Sequence, residues 1–244
     1  FIITPPCSGS TALSQFLNSS YRTMLLQDRG EGQWLLPGLC KKNRWNSGKE
    51  VDYSSLKAVW LRKYQEVKRL TQNIDVVIEK SPPNMMRMEE LASQFKKVSF
   101  IANNRDPYAN CASILCRHHD ADNLSLIQRK SLLGDLVQNW IMRSTKIREL
   151  IEALNAPLLT YEDFCENPSA VLDILNLPDG VSETINLNSR VKVKDYVVQP
   201  IINQNERQIL MLAEEEIEHI SSLLISSSDL LDFFGYQQRI EPII

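Results

Sequence analysis

Apolar positions follow two alternating rhythms along this chain. Short continuous or β-branched runs, at Phe1–Thr4, in IDVVIEK (74–80) and in KVSFIANN (97–104), read as buried strands. The APLLTYEDF stretch adds a fourth strand, ending at Tyr161. Between them apolar residues recur at three- and four-residue spacing, the mark of helices with one buried face. Such segments cover Thr11–Leu17 and 84–95, and a helix from Asp52 carries Leu56, Val59, Trp60, Tyr64, Val67 and Leu70. Another opens at Pro107, a residue suited to a first helical turn, and runs to about His118. A long helix follows, its buried face marked by Leu132, Leu136, Trp140, Ile147, Leu150, Ile151 and Leu154. Asn205–Leu224 reads as a final amphipathic helix, with EEEIE (214–218) as a solvated face rather than a metal site. The segment 21–50 is irregular and Gly-containing, with Trp34 and Trp45 expected at its surface.

Strands alternating with helices predict an α/β fold: a central parallel β-sheet flanked by helices on both faces, in a single domain spanning 1–244. Ligands of such sheets bind outside the carboxyl ends of the strands. Three ends carry notable chemistry here: Pro5–Thr11, Glu79-Lys80-Ser81 and Arg105. The topology therefore draws distant segments to one crevice.

Composition narrows the ligand. With 43% hydrophobic and 23% charged residues in 244, the chain is ordinarily globular. A net charge of −3 does not fit a nucleic-acid binder, so an anion site must be local. No apolar run reaches the roughly 20 residues of a membrane span. The chain opens at Phe1, inside a predicted strand, so a natural start upstream is expected. No secretory feature is visible, which points to the cytoplasm. Five cysteines without a CxxC pair argue for reduced thiols, and the Asn18 and Asn123 sequons carry little weight.

The turn after the first strand reads PPCSGST (5–11). Gly9 permits a left-handed turn, and the amides of Ser8 to Thr11 can then face an anion at the helix N-terminus. The hydroxyls of Ser8, Ser10 and Thr11 add donors. The bland alternative is a plain Ser-Gly turn. The G-x-x-x-x-G-K-[ST] loop of ATP-binding proteins is not present, nor is a strand-end Asp for magnesium. After the third predicted strand, Arg105 is followed eight residues later by Ser113, with Pro107 opening a helix between them. A guanidinium fork and a hydroxyl make a clamp for a phosphate monoester. The bland alternative is a surface Arg paired with Asp106.

Together these motifs resemble the sulfotransferases that use 3′-phosphoadenosine-5′-phosphosulfate, on a P-loop nucleotide-hydrolase-like fold. PCSGST is similar to the family's P-x-S-G-T-T-like loop for the 5′-phosphosulfate, and Arg105 with Ser113 to its 3′-phosphate pair. EKSPP (79–83), YEDFCENP (161–168) and LLDFFGYQ (230–237) extend the likeness in the right order. GEGQWLLP (30–37) is similar to a segment of the bacterial and tyrosyl-protein branches.

The resemblance implies in-line transfer of a sulfuryl group to a hydroxyl or amine, without a metal, leaving 3′-phosphoadenosine-5′-phosphate. It implies nucleotide contacts at Cys7, Ser8, Gly9, Ser10, Thr11, Arg105 and Ser113. Arg190 falls where a late basic loop closes over the 3′-phosphate, with Lys192 and Lys194 as alternates. The departure is Cys7, where most members carry Lys or Arg. Lys80 is then expected to carry the leaving-group electrostatics. Glu31 is the expected base, with Asp28 as alternative, its pKa raised by an apolar wall of Trp34, Leu35 and Leu36. Tyr161-Glu162-Asp163 reads as structural. Trp34, Trp45, Arg117, His118 and His119 lie in segments expected to shape the acceptor pocket, for a small-molecule, glycan or peptide hydroxyl. The competing readings are a non-catalytic nucleotide-binding relative, which Cys7 permits, and a P-loop nucleotide kinase.

Overall fold

A computed structural model describes residues 1–27, 29–41, 43–71, 73–193 and 197–239. Strand β1 (Ile2–Ile3) is buried on both sides, as its unbroken apolar run requires. The chain then forms α1 (Ser10–Leu17), β2 (Thr23–Leu25), α2 (Tyr53–Thr71) and β3 (Val76–Ile78). β4 (Ile101–Ala102), α3 (Pro107–His118) and α4 (Leu126–Leu154) follow.

β1 pairs in parallel with β4, Ile2 opposite Ile101, and β2 in parallel with β3, Thr23 opposite Val76. The Ile2 amide donates to the Glu79 carbonyl (2.9 Å), joining the pairs, and Ala102 bridges in parallel to Leu158 on the far side. The segments thus lie in the order β2, β3, β1, β4 and Leu158. The chain leaves β1 for one side of the sheet and later returns to the other. The turn after β1 therefore sits between the ends of β3 and β4, the switch point where such sheets bind ligands.

Local sequence explains the helices that frame this point. Asp106 caps α3 by accepting from the Ala109 amide (2.9 Å), with Pro107 at its first position. Ser125 and Gln128 form a capping box at the start of α4, and Asn155 ends it in the left-handed conformation (φ 47°). α3 and α4 pack through Tyr108, Leu115, Leu133, Val137 and Trp140, all buried. A second core joins Leu13 and Phe16 of α1 to Ile78 and Phe164; a third joins Leu26, Leu56, Trp60 and Leu91.

The α/β architecture with parallel strands is the expected one, and five details differ from the sequence reading. β2 lies inside the segment read as irregular. APLLTYEDF contributes only the bridge at Leu158; Thr160 instead caps a helix, α5 (Tyr161–Glu166), accepting from the Asp163 amide (3.1 Å). The 84–95 segment is a 3-10 turn (Pro82–Arg87) followed by a short helix (Met88–Ala92). The 205–224 region breaks into a short helix (Asn205–Ile209) and α6 (Glu214–Leu224), and a further helix spans Ser228–Phe234. Glu216 of the EEEIE run is fully buried: its carboxylate accepts from Arg129 Nε (2.6 Å), Arg129 Nη2 (2.9 Å) and the Ala213 amide (2.9 Å). Among the described residues no helix is long and apolar enough to cross a membrane.

Candidate active site

The turn after β1 is tightly curled. Cys7 (φ 61°) and Gly9 (φ 77°) both adopt the left-handed conformation. At Gly9 this goes with a close approach that leaves no room for a Cβ, because the Tyr161 ring packs against the backbone there. Ser8 is fully buried; Asn110 of α3 donates through Nδ2 to its Oγ (3.1 Å) and to the Pro6 carbonyl (2.8 Å). The Ser8 hydroxyl thus fastens the turn to α3. The Ala12 and Leu13 amides donate to the Gly9 carbonyl (2.9 and 3.2 Å), so within the first turn the Ser10 and Thr11 amides are the ones left for an anion.

Arg105, at the end of β4, is 3% exposed and forms no ion pair among the described residues. Its Nη1 donates to the Cys7 carbonyl (3.0 Å), its Nε to Asn205 Oδ1 (2.9 Å), and it lies 4.2 Å over the Tyr161 ring. Asn205 is held in turn by Glu162 Oε1 (2.6 Å). Nη2 is buried and has no partner. A buried guanidinium with a spare donor is costly unless an anion meets it.

Arg105 lines an open cleft together with Cys7, Gly9–Ala12, Ser113 and Arg117. Tyr161, Cys165, Val191, Val193 and residues of the stretch from Gln199 to Gln208 complete the lining. Tyr161 pins that stretch: its hydroxyl donates to the Ile202 carbonyl (3.1 Å) and accepts from the Gln204 amide (3.0 Å). Burial pushes the Tyr161 phenol well up, so it stays a neutral donor, and pushes the Cys165 thiol up to about 12.

On the opposite flank of Thr11 stands a second polar group. Lys80, 2% exposed, donates through Nζ to Thr11 Oγ1 (3.3 Å) and to Glu31 Oε1 (3.4 Å). Glu31 Oε2 also accepts from Gln33 Nε2 (2.7 Å) and from the Trp34 indole (3.0 Å). Trp34 thus meets the carboxylate through its N–H, while Leu35 and Leu36 pack against the core of Leu26, Leu56 and Trp60. The apolar wall expected around Glu31 is therefore a set of donors. The segment is anchored from beneath by the buried Glu79, whose carboxylate accepts from the Gly32 amide (3.2 Å), the Ser81 amide (3.2 Å) and the Ser81 hydroxyl. Burial raises the Glu79 carboxyl, against the pull of those hydrogen bonds.

The structure thus brings Cys7, Gly9, Ser10, Thr11, Arg105 and Ser113 to one cleft, keeps Ser8 buried behind its turn, and joins Lys80 and Glu31 to the cleft through Thr11. The Cys7 sulfur lies 3.9 Å from His118 Nε2. Arg190 stands exposed at the rim, donating through Nη2 to the Val198 carbonyl (3.0 Å), while its neighbour Val191 lines the cleft. Lys192 is tied by its backbone to Gln15 of α1 (2.7 and 2.8 Å). Asp28 and Lys194 lie outside the described residues. Tyr161, read from sequence as structural, proves to line the cleft. Asn110 and Asn205 carried no signal, since each works through a partner about a hundred residues away in the chain. Among the described residues no group of three or more His, Cys, Asp or Glu side chains is placed to hold a metal ion.

A family model described as the sulfotransferase family matches residues 1–175, and the chain belongs to that family. Among solved structures it is similar to the sulfotransferase domain from the Synechococcus PCC 7002 olefin synthase. That match has 17% identity and a TM-score of 0.51, covers 97% of this chain and 94% of that one, and shows a shared fold. No curated protein matches the sequence.

Proposed function

We propose that this protein transfers a sulfuryl group from 3′-phosphoadenosine-5′-phosphosulfate to an acceptor hydroxyl or amine. The observation that carries the reading is Arg105: a buried guanidinium with an unmet donor and, among the described residues, no ion pair, lining one cleft together with Ser113 and the curled turn after β1. The residues fit the nucleotide. Arg105 and Ser113 would hold its 3′-phosphate, and the α1 amides with the Ser10 and Thr11 hydroxyls its 5′-phosphosulfate. Arg190, at the rim, would add charge above the 3′-phosphate. When bound, the nucleotide supplies an activated sulfuryl group.

The chain's own residues supply the rest. Lys80 is desolvated and already points at Thr11, so it brings a fixed positive charge to the edge of the cradle without reorganisation. It offsets the missing cation at Cys7. Glu31 is the acceptor-side base: its Oε1 sits within hydrogen-bond reach of Lys80, and Gln33 and Trp34 fix its orientation. Membership of the sulfotransferase family supports an enzyme and favours neither a nucleotide kinase nor a non-catalytic relative.

Calorimetric titration with 3′-phosphoadenosine-5′-phosphate tests the reading. The wild type is expected to bind, and Arg105→Ala to lose most of that affinity. No binding by the wild type would overturn the proposal. Binding without transfer to a broad panel of hydroxyl and amine acceptors would turn it into a non-catalytic nucleotide-binding protein.

A further inference from the structure

Besides the Lys80–Glu31 pair, the Glu31 side of the site carries two arginines that form no ion pair among the described residues. Arg143 lies on α4 between two residues tied to the end of β4. The Trp140 indole donates to the Arg105 carbonyl (3.0 Å), and Ser144 Oγ accepts from Asn104 Nδ2 (2.9 Å). Arg143 is therefore held at the same strand ends as the anion cleft. Its guanidinium stacks 4.3 Å over Trp45, and its Nε is buried with no hydrogen-bond partner. One residue before Trp45, the Arg44 guanidinium lies 5.8 Å over Trp34, the indole that donates to Glu31. Arg87 pins this segment by donating to the carbonyls of Arg44 and Asn46 (both 3.0 Å).

Among the described residues neither Arg143 nor Arg44 is in an ion pair. Burial lowers the Arg143 guanidinium from its ordinary value; the nearby Cys111 and Cys7 thiols work against this, and the like charge of Arg44 adds to it. Two cations laid over the indoles of one segment, Arg143 on Trp45 and Arg44 on Trp34, one with a dry unmet donor, are held there at a cost. Stacking on indoles leaves the edge of each guanidinium fork open for oxyanions.

We propose that Arg143 and Arg44 form an oxyanion subsite that selects an acceptor carrying a carboxylate, phosphate or sulfate besides the group to be sulfated. The proposal rests on the reading of Lys80 and Glu31 as the transfer centre. The same fork could instead meet the donor's own phosphosulfate past Cys7, and the test separates the two sources.

Sodium sulfate is titrated calorimetrically, at constant ionic strength, into protein saturated with 3′-phosphoadenosine-5′-phosphate. The expected result is one bound sulfate per chain, weakened about tenfold or more in Arg143→Gln and in Arg44→Gln, with nucleotide affinity unchanged. No sulfate binding with nucleotide in place, or binding that both variants retain, overturns the proposal. So does affinity for 3′-phosphoadenosine-5′-phosphosulfate itself, titrated without acceptor, that falls in both variants, which would assign the arginines to the donor. Arg44 lies outside the helical core, so its variant decides the matter if Arg143→Gln fails to fold. Should the nucleotide not bind at all, the donor reading fails on its own. The sulfate titration of the free protein and both variants then still tests the subsite.

Discussion

The ring of Tyr161 occupies the space that a side chain at position 9 would need: a Cβ on Gly9 would fall 2.1 Å from ring carbon Cδ2. The same ring carries Arg105 on its other contacts and, through its hydroxyl, holds the 202–204 backbone. One aromatic side chain thus sets the shape of the turn, the place of the buried cation and the far wall of the cleft. In Gly9→Ala, left-handed backbone costs about 1–2 kcal/mol and overpacking about 1–3 kcal/mol more. The melting midpoint is expected to fall by about 4–20 °C, with weaker nucleotide binding. Combining Gly9→Ala with Tyr161→Ala should cost less than the two single changes summed, because the clash then disappears. Full additivity in that thermal-melt cycle would contradict the packing described.

Lys80→Ala removes the desolvated cation that points at Thr11. Turnover is expected to fall about 10²–10³-fold while nucleotide affinity changes little, since the loop amides and Arg105 stay in place. Stopped-time assays with labelled donor read the first quantity and calorimetry the second. Wild-type turnover in this variant would remove Lys80 from the chemistry.

Glu31→Gln keeps the size of the side chain and one acceptor oxygen but removes the base. A loss of about 10²–10⁴-fold in kcat is expected, with nucleotide binding intact. Loss of both together would instead mark Glu31 as a prop of the loop.

The Glu216–Arg129 pair makes a prediction about stability. Burial raises the Glu216 carboxyl, but hydrogen bonds from Arg129 and the Ala213 amide, with the Arg129 charge, outweigh it and hold the group below its ordinary value near 4.5. A carboxyl depressed in the folded state stabilises the protein above its unfolded value, and that stability is lost as pH falls through the folded value. Glu216→Gln should therefore cost about 3 kcal/mol near neutral pH, the low end for breaking a buried pair, because Arg129 keeps some solvent. The melting curves of variant and wild type should converge as the pH drops below about 4.5. A gap that persists unchanged at acid pH would mean packing rather than charge.

The parts legible in the sequence are those set by local rules. α2, α3 and α4 show long apolar periodicity, and β1, β3 and β4 show continuous apolar runs, so each was readable without tertiary knowledge. The turn after β1 and the Arg105–Ser113 pair were readable because ligands gather at strand ends. β2 was not: three residues take strand form only because β3 lies beside them. Thr160 resembled the end of a strand, and only its bond to the Asp163 amide shows it to be a helix cap. Glu216 looked solvated because its partner lies on α4, far away in the chain. Arg143 gives no signal of its own in the sequence, because the indole that covers it comes from the irregular segment.

Thr11 divides the site into two halves of unequal origin. The nucleotide half draws on four or more separated parts of the chain, from Cys7 to Gln208, so no single exchange can rebuild it. The other half takes Glu31, Trp34, Arg44 and Trp45 from one continuous stretch, laid against the fixed posts of Lys80 and Arg143. Under the proposed function, grafting that stretch from a relative is expected to exchange acceptor preference as a module while leaving nucleotide binding untouched.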